Sequence, residues 1–264
     1  MKAMNKNPKQ PVEEVGVRSY ATDRDKQYRE SRDEHLSALA SRVQLSSLVD
    51  NFAKYARRQE VTRFLARHEL FRLVQNIQGC IVECGVYARQ GLMTWAQLSS
   101  ILEPVGGAFR HIYGFDTFAG FPSVHAKDLN GAAKLDWRKG DLKMDSFADL
   151  QRCIELFDEN RFLSQFPKVS LIKGDFSKTA DHFIETNPHV LVSLLYLDFD
   201  LYEPTKHALE IFIPRMPKGA VLAFDEINHP LWPGETRALL EVLDLKQHEV
   251  KKFPYEINMS YIVL

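Results

Sequence analysis

From residue 79 to the C-terminus, apolar residues recur in two alternating patterns. Short apolar runs of strand length, such as CIVEC at 80–84, are followed by longer segments with helical spacing, such as GLMTWAQLSSIL at 91–102. A series of alternating strands and helices predicts an α/β fold, with a mainly parallel sheet and helices on both faces. The predicted strands are 80–84, 111–116, 168–175, 189–200, 219–226, 248–253 and 258–264, and the predicted helices are 91–102, 146–157, 179–186, 203–213 and 234–245.

The chain before this series divides into two parts. Residues 1–35 are rich in charged residues and poor in large apolar ones, which predicts a flexible polar N-terminal arm. Residues 36–76 contain no Pro or Gly and carry apolar residues near helical spacing, which predicts an N-terminal helical segment. The main domain is then expected at 77–264. The apolar faces of the N-terminal helices could pair two subunits, so a homodimer is one expected assembly.

Composition and charge narrow the function classes. The sequence is 45% hydrophobic, enough for a packed core, and its formal net charge is −1 without a long block of one sign. The three cysteines lack paired C-x-x-C spacing and indicate reduced thiols. No apolar run is long enough to cross a membrane, and the N-terminus lacks the apolar stretch of a secretory signal. We expect a soluble cytoplasmic protein that binds neither nucleic acid nor membrane.

In a parallel α/β sheet, ligands bind beyond the carboxyl ends of the strands, so the residues after each strand are the informative ones. The first such loop is VECGVYARQG at 82–91. Glu83 ends an apolar run, Gly85 permits a tight turn, and Gly91 opens the next helix, whose N-terminus favours an electronegative group. The loop lacks the G-x-G-x-x-G spacing of a dinucleotide site. A purely structural strand-to-helix turn is an equal alternative.

The next two strands end in single aspartates. Asp116, in GFDTFAGFP, lies where a carboxylate could accept hydrogen bonds from the two hydroxyls of a ribose. Asp175, in KGDFSKT, could accept from an adenine amino group, with Phe176 against the ring. Each also has a local alternative, because an aspartate at such a position commonly caps a turn or the following helix.

The fourth and fifth strands end in an acidic group. LYLDFDLYEPT supplies Asp198 and Asp200, and FDE supplies Asp225 and Glu226. Four carboxylates on neighbouring strand ends repel one another unless a cation compensates, and oxygen ligands favour Mg²⁺ over Zn²⁺. Each residue alone could be a solvated loop residue. His229 follows the acidic pair and is a candidate general base or substrate contact.

A long polar connection at 119–145 precedes the third strand and has the length of a lid or binding loop. Together, the segments VECGVY, GFDTFAGFP, GDFSKT, LDFDLYEPT and WPGETRA resemble, in order and spacing, the macrocin O-methyltransferase family of class I S-adenosylmethionine-dependent enzymes. The resemblance covers roughly residues 60–250. It implies a Rossmann-like, seven-stranded sheet with the last strand antiparallel. It also implies Mg²⁺-assisted methyl transfer to a hydroxyl of a small molecule, often a sugar of a natural product or a surface glycan.

The resemblance also carries roles for individual residues. Two segments depart from the family's pattern: Ala88, Arg89 and Gln90 stand where small residues are common, and Glu226 replaces a second aspartate. The implied cofactor-binding residues are Glu83, Gly85, Val86, Tyr87, Asp116, Thr117, Phe118, Gly174, Asp175, Phe176 and Asp198, and the implied metal ligands are Asp198, Asp225 and Glu226.

The expected chemistry needs little covalent help from the protein, since the sulfonium of S-adenosylmethionine is an activated methyl donor. We predict Asp198 as metal ligand and possible base, and Asp200 as support or alternative base for the acceptor hydroxyl. Three alternatives stay open. They are N-methylation of an amino sugar, a metal-dependent hydrolase or phosphatase that uses the acidic group alone, and a non-catalytic partner with a methyltransferase fold.

Overall fold

The computed structural model describes residues 22–129 and 137–264. The chain divides into two compact units, Met1–Val61 and Thr62–Leu264. Within the described part of the chain, no helix is both long and apolar enough to cross a bilayer.

The first unit contains a long polar helix. Helix α1, Asp23–Ala40, begins with a capping box in which Thr22 and Asp25 each accept a hydrogen bond from the other's backbone N–H, at 3.3 and 2.9 Å. No residue of α1 is buried. The helix crosses the predicted boundary at 35/36 because a well-capped polar segment needs no apolar face to be helical, and the rest of the predicted arm, residues 1–21, lies outside the described residues. Two short helices follow, α2 Leu45–Asp50 and α3 Phe52–Tyr55.

The second unit is built on a seven-stranded sheet of order β3-β2-β1-β4-β5-β7-β6. Strands β1 to β5 pair in parallel, and β7 is antiparallel to both of its neighbours. The strands are β1 Cys80–Cys84, β2 Ile112–Asp116, β3 Val169–Lys173, β4 Val192–Leu197, β5 Val221–Phe224, β6 Lys251–Lys252 and β7 Ser260–Val263. The helices are α4 Arg58–Val74, which crosses the boundary between the units, α5 Gly91–Leu102, α6 Phe147–Glu159, α7 Phe176–Thr186, α8 Tyr202–Phe212 and α9 Gly234–Val242.

The central strands are buried on both faces, as their nearly continuous apolar sequence requires. Every residue of β1, β4 and β5 is buried. Successive residues of β1 point to opposite sides, so Ile81 packs in one core with Trp95 of α5, and Val82 in the other with Phe212 of α8. The predicted alternation and the predicted α/β fold class are confirmed.

Candidate active site

A cleft opens at the carboxyl ends of β1 to β4. It is lined by residues of the loops that follow these strands and by part of the 119–145 connection. Of the predicted site residues, the lining includes Gly85, Tyr87, Asp116, Thr117, Phe118, Gly174, Phe176, Asp198 and Asp200, and it does not include Glu83, Val86, Asp175, Asp225 or Glu226.

The loop after β1 lies directly against the loop after β4. Gly85 has a φ of +85°, and a Cβ atom there would lie 1.9 Å from the backbone oxygen of Asp198. The backbone N–H of Asp198 donates to the Cys84 carbonyl at 2.8 Å. Only glycine permits this left-handed turn and this close approach. The backbone therefore brings Asp198 against the first loop.

Asp116 holds its loop in place from the end of β2. Its Oδ2 accepts from the Tyr87 N–H at 2.8 Å, and its Oδ1 accepts from the Phe118 N–H at 2.5 Å. Tyr87 and Phe118 both have left-handed φ angles, 52° and 53°, of the kind that concentrates at functional sites. Burial raises the pKa of Asp116, while the backbone donors lower it. Each carboxylate oxygen keeps lone-pair capacity for a further donor in the cleft.

Three predicted cofactor residues lie outside the lining. Val86 is buried in the hydrophobic core. Asp175 is the N-cap of α7 and accepts from the Ser177 N–H at 3.1 Å and its hydroxyl at 2.8 Å, which is the capping alternative considered from sequence. Glu83 is buried beneath the cleft, where its Oε2 accepts from Trp95 Nε1 at 2.6 Å. Burial raises the pKa of Glu83 to about 7, against the lowering effect of Arg67.

The acidic cluster, defined as Asp198, Asp200, Asp225 and Glu226, meets two arginines. Arg63 Nη2 on α4 donates to Asp225 Oδ1 at 2.6 Å and lies 3.9 Å from Asp198 Oδ2. Arg89 Nη1, from the loop after β1, lies 3.5 Å from Asp225 Oδ2 and 3.6 Å from Asp198 Oδ2.

The two arginines give the four carboxyl groups of the acidic cluster different pKa values. Burial alone would raise the pKa of Asp225, but Arg63 and Arg89 lower it to about 2. Burial, reinforced by the charge of Asp225, raises the pKa of Asp198 to about 6. Asp200 and Glu226 have pKa values raised well above the usual range by burial and by their acidic neighbours. Asp198 is thus a cleft-lining carboxylate that changes protonation near neutral pH.

Side chains far apart in sequence complete the site, and no local sequence pattern indicated them. Glu235, buried at the start of α9, accepts from the Phe199 N–H at 3.1 Å, the Asp200 N–H at 3.3 Å and the Glu226 N–H at 3.1 Å. It therefore joins the loops after β4 and β5. The hydroxyl of Tyr196 donates to Asp225 Oδ1 at 2.6 Å.

Arg67 lies one helical turn after Arg63 and is fully buried, with its guanidinium 4.9 Å from the Tyr196 ring centre. Arg63 and Arg67 are four residues apart, the spacing that places two side chains on one helix face. That spacing was the available sequence signal. Nothing local indicated that the acidic cluster would be the partner of Arg63.

A divalent cation does not fit this arrangement. Mg²⁺ requires oxygen ligands that converge on one point at about 2.1 Å. Within the part of the chain that the structure describes, no three His, Cys, Asp or Glu side chains are placed to hold a metal ion. The cluster's two buried oxygens without a hydrogen bond face nitrogens instead: Asp225 Oδ2 lies 3.5 Å from Arg89, and Glu226 Oε2 lies 3.7 Å from His229 Nδ1. Direct ligation by Asp198, Asp225 and Glu226 stays a prediction that this geometry does not support.

His229 is not among the residues that line the cleft. Its Nδ1 accepts from the Leu231 N–H at 3.3 Å, a local turn contact. The neighbouring Trp232 stacks on Trp137 with ring centres 4.2 Å apart, and both rings pack with Phe121. Of these three rings, which together are called the aromatic wall, Phe121 lines the cleft, and Trp137 and Trp232 pack against Phe121.

The 119–145 connection is held to the rest of the protein on both sides of residues 130–136. Asp128 is buried and accepts from the Tyr202 N–H at 2.5 Å, so it caps α8, and it also accepts from the His125 N–H at 2.7 Å. Trp137 lies in the aromatic wall. Residues 130–136, at the centre of the predicted lid, lie outside the described residues.

Comparison with known proteins decides the family. The macrocin O-methyltransferase (TylF) family model matches residues 68–240. The chain belongs to this family. A curated relative from Streptomyces olivaceus, 8-demethyl-8-(2,3-dimethoxy-alpha-L-rhamnosyl)-tetracenomycin-C 4'-O-methyltransferase, is 27% identical over 156 residues, which are 58% of this chain and 55% of that protein. The match therefore spans only about half the length of the curated relative.

Solved structures agree with the family. A crystal structure of CalS11, a calicheamicin methyltransferase, is 29% identical with a TM-score of 0.82 and covers 98% of this chain and 99% of that one. The apo structure of CalS11, described as a TDP-rhamnose 3'-O-methyltransferase, is 28% identical with a TM-score of 0.75 over 92% and 96% of the chains. The O-methyltransferase NovP, at 21% identity, a TM-score of 0.59 and 76% and 78% coverage, supports the fold alone. The family resemblance and the class I methyltransferase fold are confirmed.

Proposed function

We propose that this protein transfers a methyl group from S-adenosylmethionine to a hydroxyl of a sugar, in a natural product or its precursor. Family membership and the likeness to CalS11 support this function. The observation that carries it is the contact between the loops after β1 and β4. This contact puts Asp198, a buried carboxylate with a pKa near 6, next to the loop after β1, which in this proposal binds the cofactor.

The residues present fit the cofactor. Asp116 presents a carboxylate for the two ribose hydroxyls, Gly85 allows close approach of the backbone, and Gly174 and Phe176 line the expected place of the adenine ring. When bound, S-adenosylmethionine supplies an activated methyl group on its sulfonium sulfur. The protein's part is then to hold the acceptor oxygen in line and to remove its proton.

Asp198 takes the proton of the acceptor hydroxyl in this proposal. With a pKa near 6 it is mostly ionised at neutral pH, yet basic enough to be an effective general base. Asp200, which also lines the cleft, is the supporting carboxylate. Glu235 orients this pair through the N–H groups of Phe199 and Asp200.

The predicted Mg²⁺ is not part of this mechanism, because arginines contact the carboxylates that would bind the metal. The acceptor is proposed to bind against Phe121, the ring of the aromatic wall that lines the cleft, with Trp137 and Trp232 supporting it. An amine of an amino sugar could occupy the same position, so N-methylation is the alternative product. A homodimer also remains a prediction, which light scattering would test.

The first experiment is calorimetric titration with S-adenosylmethionine and S-adenosylhomocysteine. We expect micromolar binding that Asp116→Ala weakens strongly, and no binding would refute the proposed function. Methyl transfer is then assayed with sugar nucleotides, starting with TDP-rhamnose. Asp198→Asn should keep cofactor binding and lose about 10²- to 10⁴-fold in kcat. The rate of the unsubstituted protein should rise with pH through about 6. Asp149→Asn, an exposed aspartate on α6, is the control.

A further inference from the structure

Arg89 is the residue through which the first loop reaches the acidic cluster. It belongs to the segment Ala88–Gln90, between β1 and α5. Its side chain lines the cleft and is 45% exposed, while the two carboxylates that it faces, Asp198 and Asp225, are 7% and 0% exposed. A single guanidinium therefore lies between the two buried carboxylates from the solvent side.

Among the described residues, no cation other than Arg89 lies within ion-pair distance of Asp225 Oδ2. Its Oδ1 accepts from both Arg63 Nη2 and the Tyr196 hydroxyl, each at 2.6 Å. Its Oδ2 is buried and makes no hydrogen bond, and Arg89 Nη1 is the charged group within ion-pair distance of it, at 3.5 Å. The same Nη1 lies 3.6 Å from Asp198 Oδ2. Both distances are those of an ion pair held by charge rather than by a hydrogen bond.

We infer that Arg89 is the resident cation of the acidic cluster: its guanidinium takes the place between Asp198 and Asp225 that a divalent cation would need, and the protein works without such a metal. Neutralisation of the cluster is the physical requirement, because two buried carboxylates this close cannot both stay ionised without a compensating cation. A guanidinium meets this requirement and is always charged. A bound dication would have to displace it or suffer repulsion from it.

If Arg89 is the resident cation, the affinity of the acidic cluster for a divalent cation depends on this one side chain. Removal of Arg89 leaves Asp225 Oδ2 without an ion-pair partner among the described residues, and leaves Asp198 Oδ2 with Arg63 Nη2 alone, at 3.9 Å. It also opens these two oxygens to the space that the 45% exposed Arg89 side chain occupies in the cleft. Carboxylate oxygens that face water are the ligands that Mg²⁺ and Mn²⁺ bind. The loss of one positive charge should therefore create a metal site.

The test is Mn²⁺ binding followed by electron paramagnetic resonance of the free ion, which needs neither acceptor nor methyl transfer. We expect no saturable binding to the unsubstituted protein or to Arg89→Lys, which keeps the charge. In Arg89→Ala, the affinity should rise by about tenfold or more, because a like charge beside the ion is gone. Adding Asp225→Asn to Arg89→Ala should abolish the new site. Arg152→Ala, an exposed arginine on α6, is the matched control.

The role in catalysis rests on the proposed function, so it is measured separately. The unsubstituted enzyme should keep its rate in a chelator, and Arg89→Ala should be slow in the chelator and recover when Mg²⁺ is added. Saturable Mn²⁺ binding to the unsubstituted protein, or loss of its activity in a chelator, would overturn the inference even if Arg89→Ala failed to fold. Loss of S-adenosylhomocysteine affinity in Arg89→Ala without any gain in Mn²⁺ binding would also overturn it. That result would assign Arg89 to the cofactor instead.

Discussion

The two sides of the cleft are stabilised by different kinds of interaction. On the β1–β3 side, defined by the loops of Gly85, Asp116 and Gly174, backbone conformation holds the loops in place. Its elements are left-handed turns, close backbone approach and one carboxylate that accepts from backbone N–H groups. The acidic cluster is instead held by charges that come from distant segments. Arg63 is 162 residues from Asp225 in sequence, yet the two side chains lie 2.6 Å apart.

This difference predicts how substitutions on each side affect the protein. The turn at Gly85 depends on the absence of a side chain, so its failure on substitution is steric and independent of pH. The stability of a cluster of buried charges depends on the balance between its positive and negative groups. Removal of one member therefore changes the protonation of the others. Substitutions on the two sides should therefore differ in kind as well as in size.

The largest effect is expected from Gly85→Ala. The new Cβ would lie 1.9 Å from a backbone oxygen that cannot move aside cheaply, at a φ of +85°. We expect the free energy of unfolding to fall by at least about 3 kcal/mol, with loss of cofactor binding. Urea unfolding and calorimetry with S-adenosylhomocysteine measure the two effects.

Gly140 provides the matched control for this substitution. Its φ is +86°, but a Cβ there would meet nothing within 4 Å. Gly140→Ala should therefore cost only about 1 kcal/mol, the penalty of the backbone conformation alone. Equal losses in the two variants would mean that the contact with Asp198 contributes nothing, and that the two sides of the cleft are not locked together by it.

On the acidic side, Arg63→Met should cost about 3 kcal/mol, because it removes the hydrogen-bonded partner of the fully buried Asp225. Adding Asp225→Asn should restore part of that loss, so the double variant should lose less than the sum of the single ones. Urea unfolding of the four proteins measures the coupling. Arg152→Met, which breaks an exposed ion pair, should change stability by under about 0.5 kcal/mol. Additive losses would show that Arg63 and Asp225 do not depend on each other.

The sequence predicted most of the β1–β3 side, because its signals are local. Apolar runs indicated the strands, and Gly85 directly follows β1 while Asp116 is the last residue of β2. The same locality left Asp175 ambiguous, since a helix cap and an adenine contact need the same residue at the same place. The α7 start at Phe176, three residues before the predicted one, follows from that cap.

The charge balance of the acidic cluster could not be predicted in the same way. The four carboxylates were visible at the ends of two strands, and their need for a cation was a sound inference. Which cation they meet depends on Arg63 and Arg89, whose positions follow from the packing of α4 and from the course of the loop after β1. Local sequence does not show such long-range pairing, so a metal ion was the cation that the sequence predicted for the cluster.

A smaller effect should appear in the pH dependence of stability through Glu83. Its pKa is about 7 in the folded protein, above its ordinary value of 4.5, so the folded state binds more protons between these values. The stability that this proton provides is present below about pH 4.5 and is lost as the pH rises through 7. Between pH 5 and pH 8 we expect Glu83 to account for a fall of about 2 kcal/mol in the free energy of unfolding.

Urea unfolding at both pH values tests this, with Glu83→Gln as the variant that should lack the fall. Glu155→Gln, an exposed glutamate on α6, should keep it. A Glu83→Gln protein with the same pH dependence as the unsubstituted one would mean that Arg67 keeps Glu83 ionised throughout. In that case the raised pKa values found in the acidic cluster would not include that of Glu83, beneath the cleft.

The smallest effect separates the two roles of Asp175. As the N-cap of α7 it accepts from the Ser177 N–H, and Asp175→Ala should cost about 1 kcal/mol in unfolding free energy. Asp175→Ser keeps a capping oxygen and should be nearly as stable as the unsubstituted protein. A serine is too short to reach an adenine amino group as well, so both variants should bind S-adenosylhomocysteine more weakly if the predicted contact exists.

Unchanged cofactor affinity in Asp175→Ser would assign this residue to the cap alone. The β1–β3 side would then recognise the adenine through Gly174 and Phe176, which line the cleft on either side of Asp175, and so through shape rather than through a carboxylate. Weakened affinity at full stability would show the reverse, since no loss of the helix start could explain it. Either result sharpens the contrast between the two sides, because it decides whether Asp116 is the sole carboxylate by which the β1–β3 side holds its ligand.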